Sequence, residues 1–210
     1  MEPEPKVALI VLENRPFIPT DYTKFLTRVA WKRMVTWIRF WGEMKQVPIW
    51  KMRQSLIRDI LAETDCTHVL WIDSDVIPNG DDFLGRLLAW GKPAISGVYF
   101  DAEDRPINRK DGKPYNFLGE GLAEVDVFSM GLSLIRRDVL ERVPYPEPTP
   151  IWKPDADVEW CGDIRKAGFT IYTDMSIVGT HFFHSYFDGK RMRRILEKNV
   201  RTARDGLTGA

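Results

Sequence analysis

Short apolar runs alternate along this chain with stretches whose apolar positions recur at helical spacing. Residues 6–12 read Lys-Val-Ala-Leu-Ile-Val-Leu, closed by Pro5 on one side and by Glu13-Asn14-Arg15-Pro16 on the other. A short continuous apolar run between turn residues predicts a strand buried on both faces, placed centrally in a sheet. Residues 68–78 read His-Val-Leu-Trp-Ile-Asp-Ser-Asp-Val-Ile-Pro and predict a second buried strand, which ends in two carboxylates, Asp73 and Asp75. Another run, 94–100, follows Pro93, two more flank Ser129-Met130-Gly131 at 125–128 and 132–135, and runs at 169–172 and 177–184 close the series. A glycine inside such a run marks a strand kink, a bulge or a close approach of backbone to a ligand.

Helices are predicted between these runs. Residues 49–62 are apolar at 49, 52, 56, 57, 60 and 61, with Arg53 and Arg58 between them, and lead straight into the Asp-x-Asp strand. Thr20 or Asp21 can cap a helix toward Arg33, and 35–41, rich in Trp and Phe, reads as a second strand or as that helix continuing. Asn79 or Gly80 starts another helix, with Asp81 and Asp82 in its first turn and Phe83, Leu84, Leu87 and Leu88 as its buried stripe. Residues 136–142 form a short helix, and Asp155 opens the last one, with Trp160, Cys161 and Ile164 spaced for burial and Gly168 as its stop. This alternation predicts an α/β fold with a mostly parallel sheet and right-handed crossovers. Residues 101–121 break the pattern and read as an irregular hairpin or flap turning at Lys110-Asp111-Gly112-Lys113, while 144–154, with five prolines, is a stiff extended connection.

Composition narrows the picture. With 210 residues and 44% hydrophobic content the chain fits one α/β domain. Thirty Lys and Arg balance thirty Asp and Glu, so no global basic field points to nucleic acid. Basic residues concentrate only in the tail, where Lys190, Arg191, Arg193, Arg194, Lys198, Arg201 and Arg204 flank an apolar line of Met192, Ile195, Leu196 and Val200. That predicts a basic amphipathic helix at 188–210, set apart from a domain at 1–187, which is either solvated or in peripheral contact with a membrane. Cys66 and Cys161 form no framework and read as core residues of a protein in a reducing compartment. The acidic Met-Glu-Pro-Glu-Pro start lacks an apolar segment, and no uncharged apolar run approaches the roughly 18 residues of a spanning helix. The expectation is a cytoplasmic protein.

Candidate chemistry gathers at the strand ends. In an open α/β sheet ligands bind there, and residues two apart on extended backbone project to one side, so Asp73 and Asp75 can face one ion. Two hard oxygen donors imply a divalent cation, and the competing reading has one acid capping the next helix and the other solvated. Glu13, Asn14 and Arg15 leave the first strand at the same edge and are candidate nucleotide contacts, or a charged turn. Arg53, early in its helix, gains nothing from the helix dipole and is a candidate for an anion, or a solvated cation. His68 reads as structural. No Gly-x-Gly-x-x-Gly occurs, and Gly85 to Gly91-Lys92-Pro93 has Pro where a phosphate loop needs Ser or Thr, so the phosphate chemistry left to this sheet is metal-bridged.

Several pieces stand in a telling order: the opening strand with its polar end, Arg53-Gln54, Trp71-Ile72-Asp73-Ser74-Asp75, Ser129-Met130-Gly131-Leu132, Asp157-Val158-Glu159-Trp160-Cys161 with Lys166-Ala167-Gly168-Phe169, and a late His. From Lys6 to His184 the chain resembles the nucleotide-sugar glycosyltransferases of the GT-A fold, particularly the inverting family-two type. The resemblance implies a Rossmann-like three-layer α/β/α sandwich with a mostly parallel central sheet. It implies a Mn²⁺ or Mg²⁺ bridged to the donor diphosphate, with Asp75 a direct ligand, Asp73 nearer the ribose or a metal-bound water, and His181 completing the site with His184 its rival. Asp157 matches the second acid of the family's Glu-Asp pair, the general base. Ala156 stands where the Glu is usual, which leaves Asp155 or Glu159 as alternatives. The implied reaction moves a sugar from a nucleoside-diphosphate sugar to a hydroxyl of a glycan, lipid-linked or protein acceptor. Two rivals remain: a nucleotide- or glycan-binding relative without transfer, and a haloacid-dehalogenase-like phosphatase, which Asp73-Ser74-Asp75-Val76 also resembles.

Overall fold

The computed structural model describes residues 4–12, 23–26, 37–41, 48–80, 82–101, 105–115, 121–128, 130–147 and 156–181. Strand β1, Val7–Leu12, sends Ala8 and Ile10 into one core and Val7, Leu9 and Val11 into another, as the two-residue period of a doubly covered strand requires. Strand β2, Trp37–Trp41, and strand β3, His68–Asp73, pair parallel with β1 on either side. Leu12 is level with Asp73, so the chain leaves β1 at the edge where β3 presents its carboxylate.

Beyond β3 the sheet becomes mixed. Strands β4 (Val76–Pro78), β5 (Ala94–Val98), β8 (Leu122–Val125), β9 (Leu132–Arg136) and β10 (Ile171–His181) give the order β2-β1-β3-β9-β5-β10-β4, with β8 also on β10. Strand β9 runs antiparallel to both β3 and β5, and β10 returns parallel to β5. Helices α1 (Ile49–Glu63), α3 (Arg137–Arg142) and α4 (Ala156–Lys166) pack one face through Leu56, Ile60, Val139, Trp160 and Ile164. Helix α2 (Phe83–Ala89) and the helical residues 23–26 cover the other through Phe83, Leu84, Leu87, Phe25 and Leu26. The result is the expected three-layer α/β/α arrangement.

Several local expectations change. The stretch 37–41 is a strand, which settles that ambiguity. Asp73 and Asp75 do not share one extended segment: the chain turns at residues 74 and 75, and β4 then pairs antiparallel with the end of β10. Strand β10 joins the two late runs into one strand of 11 residues: it pairs with β5 as far as Val178 across a register shift between Thr173 and Val178, while Ile171–Asp174 also pair with β8 and Gly179–His181 with β4. Helix α2 begins at Phe83 with Asp82 at its N-cap position and no side-chain cap bond, so Asp82 lies before the first turn rather than in it. The turn at 110–113 joins β6 (Arg109–Lys110) to β7 (Lys113–Pro114), with Asp111 at φ 51° and Gly112 at φ 72°, the left-handed pair of a tight hairpin. Cys66 and Cys161 are both buried, and the Cys161 thiol donates to the Phe128 carbonyl at 3.5 Å. Among the described residues no helix is long and apolar enough to cross a membrane, and the basic tail lies outside them.

Trp160 is fully buried, and its Nε1–H donates to the Val143 carbonyl at 3.0 Å, tying α4 to the segment after α3. Trp160→Ala should cost about 3–5 kcal/mol of unfolding free energy in a denaturant titration, whereas exposed Ile49→Ala should change it by about 0.5 kcal/mol or less.

Candidate active site

The turn after β3 and the pairing of β4 with β10 assemble the first half of the site. Val76 lies opposite His181, so the last described residue of the chain comes beside Asp75, with His181 Nε2 3.4 Å from Asp75 Oδ2. The other ring nitrogen, Nδ1, is 2.9 Å from the Phe100 carbonyl. A carbonyl only accepts, so Nδ1 holds the proton there and Nε2 is the nitrogen turned to the carboxylate, the arrangement that orients metal-ligating imidazoles. Tyr99 packs edge-on against the same ring at 5.1 Å between centroids. Burial works to lower the His181 pKa, but the hydrogen bond and charge of Asp75, with help from the Phe100 carbonyl, outweigh it and raise the pKa.

Asp73 is held from below by backbone. Its N–H donates to the Gly131 carbonyl at 3.1 Å, and the Gly131 N–H donates to the Tyr99 hydroxyl at 3.2 Å. A Cβ at 131 would stand 2.6 Å from Asp73 Oδ2, closer than side chains tolerate, so only glycine fits. The close approach that a glycine in this run signalled is therefore to the protein's own Asp73 and Tyr99. Burial pushes the Asp73 carboxyl up to about 6; Asp75 and Asp157 add to the rise, and Arg53 and His181 oppose it.

The second half of the site centres on Arg53, which is only 4% exposed on α1. Its Nη1 donates to Asp157 Oδ1 and, at 3.0 Å, to the Tyr145 hydroxyl, while Nη2 lies 3.7 Å from Asp73 Oδ1. The Tyr145 hydroxyl donates in turn to Asp157 Oδ1. Asp157 sits in the first turn of α4, where the helix dipole favours a carboxylate, and the Met130 N–H reaches its Oδ2 at 3.5 Å. Burial alone would lower the Arg53 pKa, but Asp157, then Tyr145 and Asp73, more than reverse this and raise it. Burial also raises the Tyr145 pKa, Asp157 adding to the effect and Arg53 opposing it, so the phenol stays protonated and able to donate. The solvated reading of Arg53 is thus replaced: it is buried, and the anions it meets are the protein's own carboxylates.

Of the predicted residues, Arg53, Asp73, Asp75, Asp157 and His181 converge at the ends of β3, β4, β10 and the starts of α1 and α4. Glu13, Asn14, Arg15, Asp155 and His184 lie outside the described residues. Tyr145 and Tyr99 were not singled out by sequence. The signal for the first was Pro144-Tyr145-Pro146, an aromatic residue held between two prolines; for the second there was none beyond its place at the end of an apolar run. Among the described residues no three His, Cys, Asp or Glu side chains form a preassembled metal cluster. The Asp75–His181 pair nevertheless suits a cation that takes one or two protein donors and fills its shell with phosphate oxygens and water.

No protein-family model and no curated protein matches the sequence. Solved structures do. A197 from STIV superposes with a TM-score of 0.64 at 16% identity, covering 85% of this chain and 86% of that one. The catalytic domain of Drosophila beta1,4-galactosyltransferase 7, in complex with xylobiose, gives 0.54 at 18% identity over 91% of this chain and 80% of that one. GalNAc-T7 with UDP, GalNAc and Mn²⁺ gives 0.56 at 10% identity over 87% of this chain and 45% of that one. The fold is the GT-A fold of glycosyltransferases. In this GT-A chain the Asp-x-Asp turn, the late histidine and the acid opening α4 meet at one sheet edge.

The raised Asp73 pKa has a stability signature. Between about 3.8, the ordinary value, and about 6 the folded protein holds a proton that the unfolded chain releases. Stability from this group therefore falls as pH rises across that window and levels above it. In metal-free melts, the Tm of Asp73→Asn relative to wild type should become more favourable by a few degrees, reflecting about 1–3 kcal/mol, as pH rises from about 4.5 to 7. A difference independent of pH would contradict the burial assigned to this carboxyl.

Proposed function

We propose that this protein is a nucleotide-sugar-dependent hexosyltransferase of the inverting type, using Mn²⁺ or Mg²⁺, with Asp157 as general base. The supporting observation is the convergence of Asp73, Asp75, His181 and Asp157 at one sheet edge of a GT-A fold, together with a fold neighbour solved with UDP, GalNAc and Mn²⁺. Asp75 and His181 would hold the cation, whose chemistry is to neutralise charge developing on the departing diphosphate. Asp73, beside them, is the candidate for the ribose or a bound water. Glu13 and Arg15 follow β1 directly at Leu12, level with Asp73, and are the proposed nucleotide contacts.

The base assignment follows from how Asp157 is held. Arg53 and Tyr145 both engage Oδ1, and among the described residues only the long Met130 contact meets Oδ2. Oδ2 is then the atom that takes the acceptor hydroxyl's proton as the acceptor oxygen bonds the anomeric carbon and the nucleoside diphosphate leaves with the bonding electron pair. Arg53, buried as it is, serves by holding Asp73 and Asp157 rather than by touching the diphosphate. The acceptor is a glycan, lipid-linked or protein hydroxyl; a cytoplasmic protein whose basic tail, residues 188–210, touches anionic lipid would suit a lipid-linked one. The hold of Arg53 and Tyr145 on Asp157 also suits a nucleotide-binding protein without transfer, and turnover separates the two.

In thermal-shift titrations, nucleoside diphosphates should raise the Tm only with Mn²⁺ or Mg²⁺ present, and Asp75→Ala should abolish that rise. A nucleotide shift indifferent to the metal and to Asp75→Ala would overturn the metal assignment. Asp157→Asn should keep the shift and lose about 10²- to 10⁴-fold in transfer rate, measured by nucleoside diphosphate release with a sugar donor and acceptor. Unchanged turnover in Asp157→Asn would remove Asp157 as base. Because a proton on His181 competes for the nitrogen turned to Asp75, and Asp75 raises the pKa of that imidazole, metal affinity should weaken as pH falls, beginning above the ordinary imidazole value of 6.5.

A further inference from the structure

We infer that Tyr145 is a positioning residue for Asp157, presented by a rigid proline-flanked splint that is clamped between α1 and α4. The inference rests on the proposed role of Asp157 as base. Residues 143–147 follow α3 without regular structure, yet three independent contacts fix them. The Val143 carbonyl accepts from Trp160 Nε1 at 3.0 Å, the Tyr145 carbonyl accepts from Gln54 Nε2 at 2.8 Å, and the Tyr145 ring packs against the Trp160 ring at 5.2 Å. Pro144 fixes its own φ, and Pro146 confines the residue before it to extended backbone. Tyr145 therefore has little backbone freedom of its own, and it is almost wholly buried.

Where that rigidity is directed is the hydroxyl. It donates to Asp157 Oδ1 and accepts from Arg53 Nη1, while the Arg53 guanidinium carbon lies 5.7 Å from the ring centroid. Two donors on one carboxylate oxygen restrict rotation about the carboxylate bond and so fix the position of Oδ2, which the Met130 N–H meets at 3.5 Å. A bond to Arg53 alone would leave the carboxylate a single hinge. Gln54 and Arg53 are neighbours on α1, one holding the tyrosine's backbone and the other its hydroxyl, so α1, the splint and α4 act as three supports for one oxygen. Tyr145 touches no reacting atom; it acts through Asp157.

Tyr145→Phe keeps the ring against Trp160 and removes only the hydroxyl. Transfer kinetics and melting temperatures of wild type, Tyr145→Phe, Asp157→Asn and the double variant test the inference. Tyr145→Phe should lower kcat about 10- to 100-fold with donor KM and the Mn²⁺-dependent nucleotide shift unchanged. Added to Asp157→Asn it should lower the residual rate no further, since the group it positions is gone. A purely structural tyrosine would lower both backgrounds equally. A Tyr145→Phe kcat within about twofold of wild type, or equal losses in both backgrounds, would overturn the inference. Failure of wild type to release nucleoside diphosphate from any sugar donor would instead sink the transferase reading. The melts then still decide the contact: the two substitutions should be non-additive by about 2 °C or more, and additivity would overturn it.

Discussion

A guanidinium removed almost entirely from water is tolerable only if carboxylates and hydroxyls answer it, and Arg53 is the group to which the rest of this site is fitted. It sits on α1, between the acid that ends β3 and the acid that opens α4. Its charge supplies the attraction that holds these two acids near one another and near Asp75, an arrangement that mutual repulsion alone would oppose. The balance is uneven: Asp157 takes the close contact, and Asp73 receives less, which is why burial still dominates the Asp73 carboxyl.

The sheet explains why these particular residues can meet. Parallel β1 and β3 end together, so the polar residues that follow each leave at one edge. The reversal at residues 74 and 75 sends β4 back along β10, which pairs parallel with β5 as far as Val178 and antiparallel with β4 from Gly179 to His181. That antiparallel pairing sets Val76 opposite His181 and brings the imidazole to Asp75. Antiparallel β9 adds the third support, since Met130 and Gly131 enter it with backbone groups directed at Asp157, Asp73 and Tyr99.

Much of this was legible from residue pattern. The buried strands were read from uninterrupted apolar runs, because a strand covered on both faces has no polar alternation to confuse it, and β1, β3 and β5 appeared where such runs lie. The Asp-Gly hairpin was readable because its two left-handed residues have a strong local preference. The turn between Asp73 and Asp75 was not, because Ser74-Asp75-Val76-Ile77 has the same apolar-polar character whether the strand runs on or folds back; only pairing with the distant β10 decides it. Tyr145 escaped for a similar reason. Its chemistry comes from Arg53 on α1, 92 residues earlier, and from Asp157 on α4, 12 residues later across the proline-rich connection, and locally it is one aromatic residue in that connection.

The charge balance of the site bears on how its parts depend on one another. Among the described residues, three carboxylates, Asp73, Asp75 and Asp157, surround one permanent cation, Arg53, and one imidazole. With His181 neutral the group carries two net negative charges, and a diphosphate approaching it unaided would be repelled. A proton on His181 removes part of that excess, which is the reason Asp75 raises its pKa. A divalent cation would remove all of it and, at the same stroke, turn the edge from one that rejects phosphate into one that accepts it. Arg53 cannot play that part, since its charge is already spent on Asp157 and its side chain is sealed beneath Tyr145. On the proposed reading, then, the buried cation builds the base and the exchangeable one admits the donor, and neither can substitute for the other.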